Sequence, residues 1–156
     1  MKEFYEFKDA VKNIYKGIEA QKVGEEIRAL GGMEGNPVKP DLILQFAREN
    51  EESELYKCFD WDDTVAAEKY RLEQARRVTR AIVIIKVNDK PVEQPKTEIR
   101  AFFEEKRGGG YRPTTFILKN KDSYERLLEN ALAELRAFKR KYHMLTELNE
   151  IFALID

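Results

Sequence analysis

The period of the sequence changes at Arg80, and that change decides the fold class. Residues 62–80, DDTVAAEKYRLEQARRVTR, set Ala66, Ala67, Tyr70, Ala75 and Val78 on one broad face at helical spacing, with Val65 and Leu72 nearly opposite. Residues 81–87, AIVIIKV, are instead a continuous apolar run rich in β-branched side chains. The first pattern suits 3.6 residues per turn and the second an extended backbone. A chain holding both packs helices against a sheet. Past the polar, proline-bearing connection NDKPVEQPK, residues 97–107 (TEIRAFFEEKR) and 111–120 (YRPTTFILKN) flank Gly108 to Gly110. They read as antiparallel strands joined by a flexible tip, so the sheet is expected to be a three-stranded antiparallel meander.

The flanks read as helical. Phe7, Val11, Ile14 and Ile18 predict a helix over 4–18, stopped near Gly17. Val23, Ile27 and Leu30 predict another over 20–30, closed by Gly31-Gly32. Pro40 suits the first turn of a helix over 40–49 that buries Leu42, Ile43, Phe46 and Ala47, and a short helical piece follows around 53–58. In the last third, Asp122 and Glu125 have capping-box spacing. Tyr124, Leu128, Ala131, Leu135, Phe138, Tyr142, Leu145 and Phe152 then recur as a heptad seam, with Asn149 at its one polar position. Leu127, Leu148, Ile151 and Ile155 widen the stripe. This is one helix of about 50 Å at about 1.5 Å per residue, or a pair broken near His143–Thr146. The expectation is α+β: N-terminal helices, a central helix, the meander and a long C-terminal helix or helix pair. A chain of 156 residues fits a single domain, 1–156, with 121–156 as a helical interaction element.

The stretch FDWDD, 59–63, has two readings. Asp60, Asp62 and Asp63 can bind a metal, or they can start the helix at 62 by satisfying its free N–H groups, with Trp61 and Ala66 as a hydrophobic staple. Calcium wants a loop of alternating acids with a glycine, which is missing here, so capping is expected. His143 stands near a helix end without a local nucleophile, and Cys58 lies among apolar neighbours. One Cys and one His do not make a structural zinc site. RGGGYR lacks the Lys-Ser/Thr ending and following helix of a phosphate loop. We therefore expect no catalytic residue, metal, cofactor or small-molecule substrate.

Two interaction readings remain. A protein partner, or a second copy in a homodimer, can dock on Tyr124, Leu128, Leu135, Phe138, Tyr142, Leu145 and Phe152. Alternatively, nucleic acid can lie along Lys106, Arg107, Tyr111 and Arg112 at the hairpin tip and along Lys69, Arg76 and Arg80 on the helix flank, where Glu73 also precedes Arg77 at ion-pair spacing. Net charge is −1 and 37% of residues are charged, so the molecule as a whole is not a polyanion binder, yet residues 81–121 carry nine Lys/Arg against five Asp/Glu. A single cysteine, no apolar run of membrane-spanning length and no apolar signal core point to the cytoplasm.

The segments CFDWDDTVAAEKYRLEQARRVTRAIVI and AELRAFKRKYHMLTELNEIFALID resemble a family of small, uncharacterised proteins encoded by bacteriophages, prophages and integrative elements. Phe59, Trp61, Asp62, Asp63, Ala66, Ala67, Tyr70, Arg71, Leu72, Gln74, Ala75 and Arg76 carry the resemblance. It implies a mobile-element origin and a bacterial host cytoplasm, and brings no catalytic residue with it.

Overall fold

The computed structural model describes residues 2–63, 67–88, 90–91 and 98–155, and the chain folds as mixed α+β. It divides into two compact units, one ending at Phe116 and the other beginning at Ile117.

The first unit is organised around β2 (Ile82–Val87), the β-branched run. Ile82, Val83 and Ile84 are all buried, so both faces of the strand are covered, which explains an apolar run without alternation. β1 (Glu3–Phe7) pairs antiparallel along one edge, from Phe7 opposite Ile82 to Glu3 opposite Val87, with a register shift between Phe4 and Tyr5. β3 (Lys90–Pro91) and β4 (Ile99–Arg100) pair antiparallel with successive parts of β2. The sheet is thus antiparallel and three strands wide, but its make-up is not the expected meander. The run 97–107 is shared between two sheets. Ala101 donates its N–H to Ile82 at 3.0 Å, and beyond it β5 (Phe102–Glu104) pairs with β6 (Tyr111–Pro113) in a separate hairpin. Residues after Pro113 are not strand but α4 (Thr114–Lys119), started where Thr114 donates its N–H to Ala101 at 2.8 Å.

The helix expected over 4–18 is absent. In EFYEF, Glu3, Tyr5 and Phe7 turn inward while Glu6 faces solvent, so a period of two governs these residues. Only Phe7 belongs to both patterns, and Ile14, a member of the helical stripe, is 61% exposed. The edge of β2 offers the N-terminal segment a full row of hydrogen bonds, and a single 3-10 turn at Asp9–Val11 is all the helix that remains.

α1 (Ala20–Leu30) and α2 (Pro40–Glu49) form where expected. Val23, Gly24 and Ile27 face inward on α1. Gly24 lies directly under the Tyr5 ring, where an added Cβ would collide with it. On α2 the inward face is rotated by one residue. Ile43, Leu44 and Ala47 are buried, Phe46 is partly buried and Leu42 is exposed, because Leu44 rather than Leu42 faces the core. The piece at 53–58 is a 3-10 turn, Tyr56–Cys58. α3 (Glu68–Ala81) hands the chain directly to β2, as the change of period requires. It buries Arg71, Ala75, Val78 and Thr79, while Ala67 and Tyr70, expected inward, are exposed. Val65 and Ala66 fall outside the described residues.

The second unit contains α5 (Lys121–Tyr142), a 3-10 turn at Thr146–Leu148 and α6 (Asn149–Phe152). The N-cap of α5 is Asn120, whose side chain accepts the Ser123 N–H at 3.0 Å; Asp122, expected to cap, sits in the first turn instead. There its charge still meets the positive end of the helix dipole. The chain breaks at His143, so the pair and not the continuous helix forms. α6 returns to α5 through Phe152 against Phe138, with ring centroids 6.1 Å apart, and through Lys139 Nζ donating to the Ile155 carbonyl at 2.7 Å.

A buried carboxylate ties the first unit together. Glu3 accepts hydrogen bonds from the Tyr5 hydroxyl, the Thr115 hydroxyl and Arg28 Nη1, the last at 2.9 Å. Burial, followed by the Glu3 hydrogen bond, holds the Tyr5 hydroxyl well above its ordinary range, so it stays a donor. Removing this carboxylate leaves the buried Tyr5 hydroxyl and the partly buried Thr115 and Arg28 groups without this partner. Glu3→Ala is expected to lower stability by about 3 kcal/mol in urea unfolding. Glu3→Gln, which keeps the shape and an acceptor oxygen, is expected to cost clearly less.

Candidate interaction surfaces

α5 presents the first surface. Its stripe lies open to solvent, with Tyr124, Leu128 and Phe138 each 47% exposed and Leu135 45% exposed. Leu132, which the heptad reading left out, joins this row. Ala131, Glu134, Leu135 and Phe138 line a recess of about 510 Å³. The C-terminal end of the predicted seam behaves differently. Tyr142 packs on Phe138 at 4.7 Å and is half-buried, Phe152 is buried, and Leu145 is exposed in the link after α5. Phe152 is therefore not a surface residue, because the turn at His143 folds it back onto the helix it was expected to extend.

The helix is also polar in charge along its length. Asp122, Glu125, Glu129 and Glu134 stand against Lys121 and Arg126 in its first part, whereas Arg136, Lys139, Arg140 and Lys141 follow with no acid among them. This order agrees with the helix dipole and leaves each end with a distinct sign.

The second surface is a groove of about 560 Å³ in the first unit. It is lined by the start of α2, one side of α3 and the β5–β6 tip. Lys39, Arg76, Arg80 and Arg107 line it together with Asp41 and Glu104. The helix flank and the hairpin tip, proposed from sequence as parts of one site, thus meet at Arg76, Arg80 and Arg107. Tyr111 lines the groove as well, whereas Arg112, Lys69 and Lys106 do not. Tyr111 is buried, its N–H and carbonyl exchanging hydrogen bonds with Val38 at 2.8 and 2.9 Å, so it cannot stack on a base. Arg112 pairs with the buried Glu105 at 2.6 Å and lies over the Phe116 ring at 5.1 Å. Lys69 and Lys106 are exposed but do not line the groove. Gly110 has φ +87 and backs so closely onto Val38 that a Cβ would come within 2.8 Å of its carbonyl carbon, which locks the base of the tip. Glu73 does not select Arg77. Its carboxylate binds Arg76 at 3.3 Å and Arg80 at 3.0 Å, partly neutralising the groove.

The acidic stretch corrects the sequence reading. α3 begins at Glu68, and its N-cap is Ala67 with no side-chain cap bond, so Asp60, Asp62 and Asp63 do not start it. The segment is held alongside the helix by Arg71. Arg71 Nε donates to the Asp60 carbonyl at 3.1 Å, its Nη2 binds Asp63 at 2.6 Å, and the guanidinium lies 5.4 Å from the centre of the Trp61 ring. Trp61 stacks on Tyr56 at 4.9 Å and donates its indole N–H to the Tyr56 carbonyl at 2.9 Å. A planar guanidinium serves a carbonyl, a carboxylate and a ring at once, a role open to no other side chain. The available signal was an arginine on an otherwise apolar helix face, eight residues after Asp63. Phe59 is buried and anchors the segment, as expected.

The remaining candidates make local contacts. His143 is the C-cap residue of α5, its Nδ1 3.0 Å from the Arg140 carbonyl. Cys58 Sγ lies 3.5 Å from the Glu54 carbonyl. Burial, and then the charges of Glu26 and Glu54, push its thiol up to about 12 from an ordinary 9.0. Comparison of the chain with protein-family models, curated proteins and solved structures gives no match.

Trp61 is the single tryptophan, so its emission reports on the Arg71 contacts. Arg71→Ala is expected to shift that emission to the red and to lower stability by about 2 kcal/mol. Asp63→Asn, at an exposed carboxylate, is expected to cost under about 1 kcal/mol. The Cys58 thiol is expected to resist alkylation at pH 8 in the folded protein and to react fully in urea. Because its folded value lies above the unfolded one, its contribution to stability is complete below pH 9 and is lost as pH rises toward 12. Urea midpoints of the parent and Cys58→Ala should converge over that interval.

Proposed function

We propose that this chain is a non-catalytic accessory protein of a bacteriophage or related mobile element, acting in the host cytoplasm through the apolar face of α5 on a protein partner, a second copy included. The open row Tyr124, Leu128, Leu132, Leu135 and Phe138 carries this reading. Such a contiguous row, rimmed by charges of both signs, has the composition of a docking surface. Covering a half-exposed Leu or Phe contributes about 1 kcal/mol, so five together outweigh the cost of ordering one helix face. The acidic cluster, Cys58 and His143 are all engaged with neighbouring groups, which fits a protein that works by contact.

A second reading, nucleic-acid binding, is supported by the groove where Arg76, Arg80, Lys39 and Arg107 converge. Asp41, Glu104 and Glu73 oppose it. Phosphate contacts there would weaken steeply with salt, and Arg76→Gln with Arg107→Gln would abolish an electrophoretic shift seen at low salt.

A photoreactive residue placed at Leu132 or Leu135 in cells tests the first reading, with Lys119 as an exposed control position outside the row. We expect a discrete adduct from the row only, to a second protein or to the chain itself. Equal labelling at Lys119, or none at the row, would rule out α5 as a docking face.

A further inference from the structure

Resting on that reading, we infer that the partner of α5 is a second copy of this chain, lying antiparallel, with the two-fold axis passing near Ala133. The charge order of the helix is the first argument. Its acidic beginning and wholly basic end repel their like in a parallel pair and attract their opposite in an antiparallel one. The helix dipoles add to the same preference.

Packing is the second argument. In the antiparallel register Leu128 faces the partner's Phe138, Ala131 faces the partner's Leu135 and Tyr124 faces the partner's Tyr142, and the two-fold repeats each layer. Small residues meet large ones, so the layers fill evenly. A parallel pair stacks two alanines in one layer and two phenylalanines in another, leaving a void beside a crowded contact. The flanks supply the third argument. Glu125 reaches the partner's Lys139, and Leu132 meets the partner's Leu132 across the axis. Lys139 already donates one hydrogen bond to the Ile155 carbonyl and keeps two donors for a carboxylate. On the other flank Glu134 meets the partner's Glu134, a repulsion that makes the register testable.

Sedimentation of the full chain from about 1 µM upward, in dilute and in physiological salt, tests the association itself. We expect a reversible monomer–dimer equilibrium, weakened at least about tenfold by Leu128→Asp or Leu135→Asp with unchanged circular dichroism. Glu134→Gln is expected to tighten the dimer about twofold and Glu125→Gln to loosen it about as much. In a Cys58→Ala background, Leu132→Cys should be joined into dimers by a short bismaleimide, while Leu127→Cys should not. A chain monomeric up to the highest concentration overturns self-pairing. In that case, a photo-adduct from Leu132 to another protein leaves the docking role of α5 intact, whereas absence of both removes the two readings together. Loosening by Glu134→Gln, or equal cross-linking from Leu127→Cys and Leu132→Cys, overturns the antiparallel register.

Discussion

The pairing of β1 with β2 is the contact on which the first unit depends. β2 is apolar from Ile82 to Ile85 and buried from Ile82 to Ile84, so this stretch needs hydrogen-bonded neighbours at both edges and side chains packed above and below. One edge is supplied by the first residues of the chain and the other by two short strands, β3 and β4. The pairing of β1 brings Tyr5 onto Gly24 of α1, Phe7 onto Tyr15 at 4.5 Å, and Glu3 within reach of Arg28 and Thr115. A segment distant in sequence thus closes the sheet, seats α1 and binds the start of α4 in one act. The entropy of that long closure is offset because several contacts form together.

Much of this was readable from residues whose behaviour is local. α1, α2 and β2 follow from periodicity, and Pro40 marks the first turn of α2 as its missing N–H allows. Four features were hidden, three because partners outside the local pattern decided them and one because two neighbouring residues competed for the same cap. Phe7 belongs both to the helical stripe that continues to Ile18 and to the alternation of residues 3–7, and the free edge of β2 selects the second. The run 97–107 changes sheets at Ala101 through one hydrogen bond to Ile82, which no local pattern encodes. The start of α3 moved from 62 to Glu68 because Arg71 competes for the acidic segment. Asn120 outcompetes Asp122 as a cap because its extended backbone, φ −107 and ψ 116, points its side chain at the Ser123 N–H. The candidate surfaces divide in the same way: spacing identified Tyr124, Leu128, Leu135 and Phe138 of the open row on α5 but missed Leu132 and included the buried Phe152, whereas Tyr111 is buried against Val38 and Arg112 is engaged by the buried Glu105.

The high charge content finds its use inside the fold as well as on the surface. Glu26 accepts the N–H groups of Glu54 and Leu55 at 3.1 and 2.8 Å, while Glu54 accepts the N–H of Glu19 at 2.8 Å and binds Lys57. Two glutamates thereby fasten the 53–58 turn to α1 without a disulfide or a metal. Glu3 and Arg71 do similar work at β1 and at the acidic segment. In each case a carboxylate or guanidinium replaces water for several buried backbone or side-chain groups, which charge-assisted hydrogen bonds do well.

α5 stands apart from this economy of internal contacts. In proteins most of a helix's stability comes from packing its apolar face, and α6 packs against the Phe138 end of α5. The row Tyr124, Leu128, Leu132 and Leu135 stays 37% to 47% exposed along the helix. A stripe needed only for folding would be expected to sink as β2 does. One that is needed for association must stay accessible and carry, in its flanking charges, the information that excludes wrong partners. In the proposed antiparallel pair, the change of sign along α5 would be information of that kind, distinguishing one direction of approach from the other before any apolar contact is made.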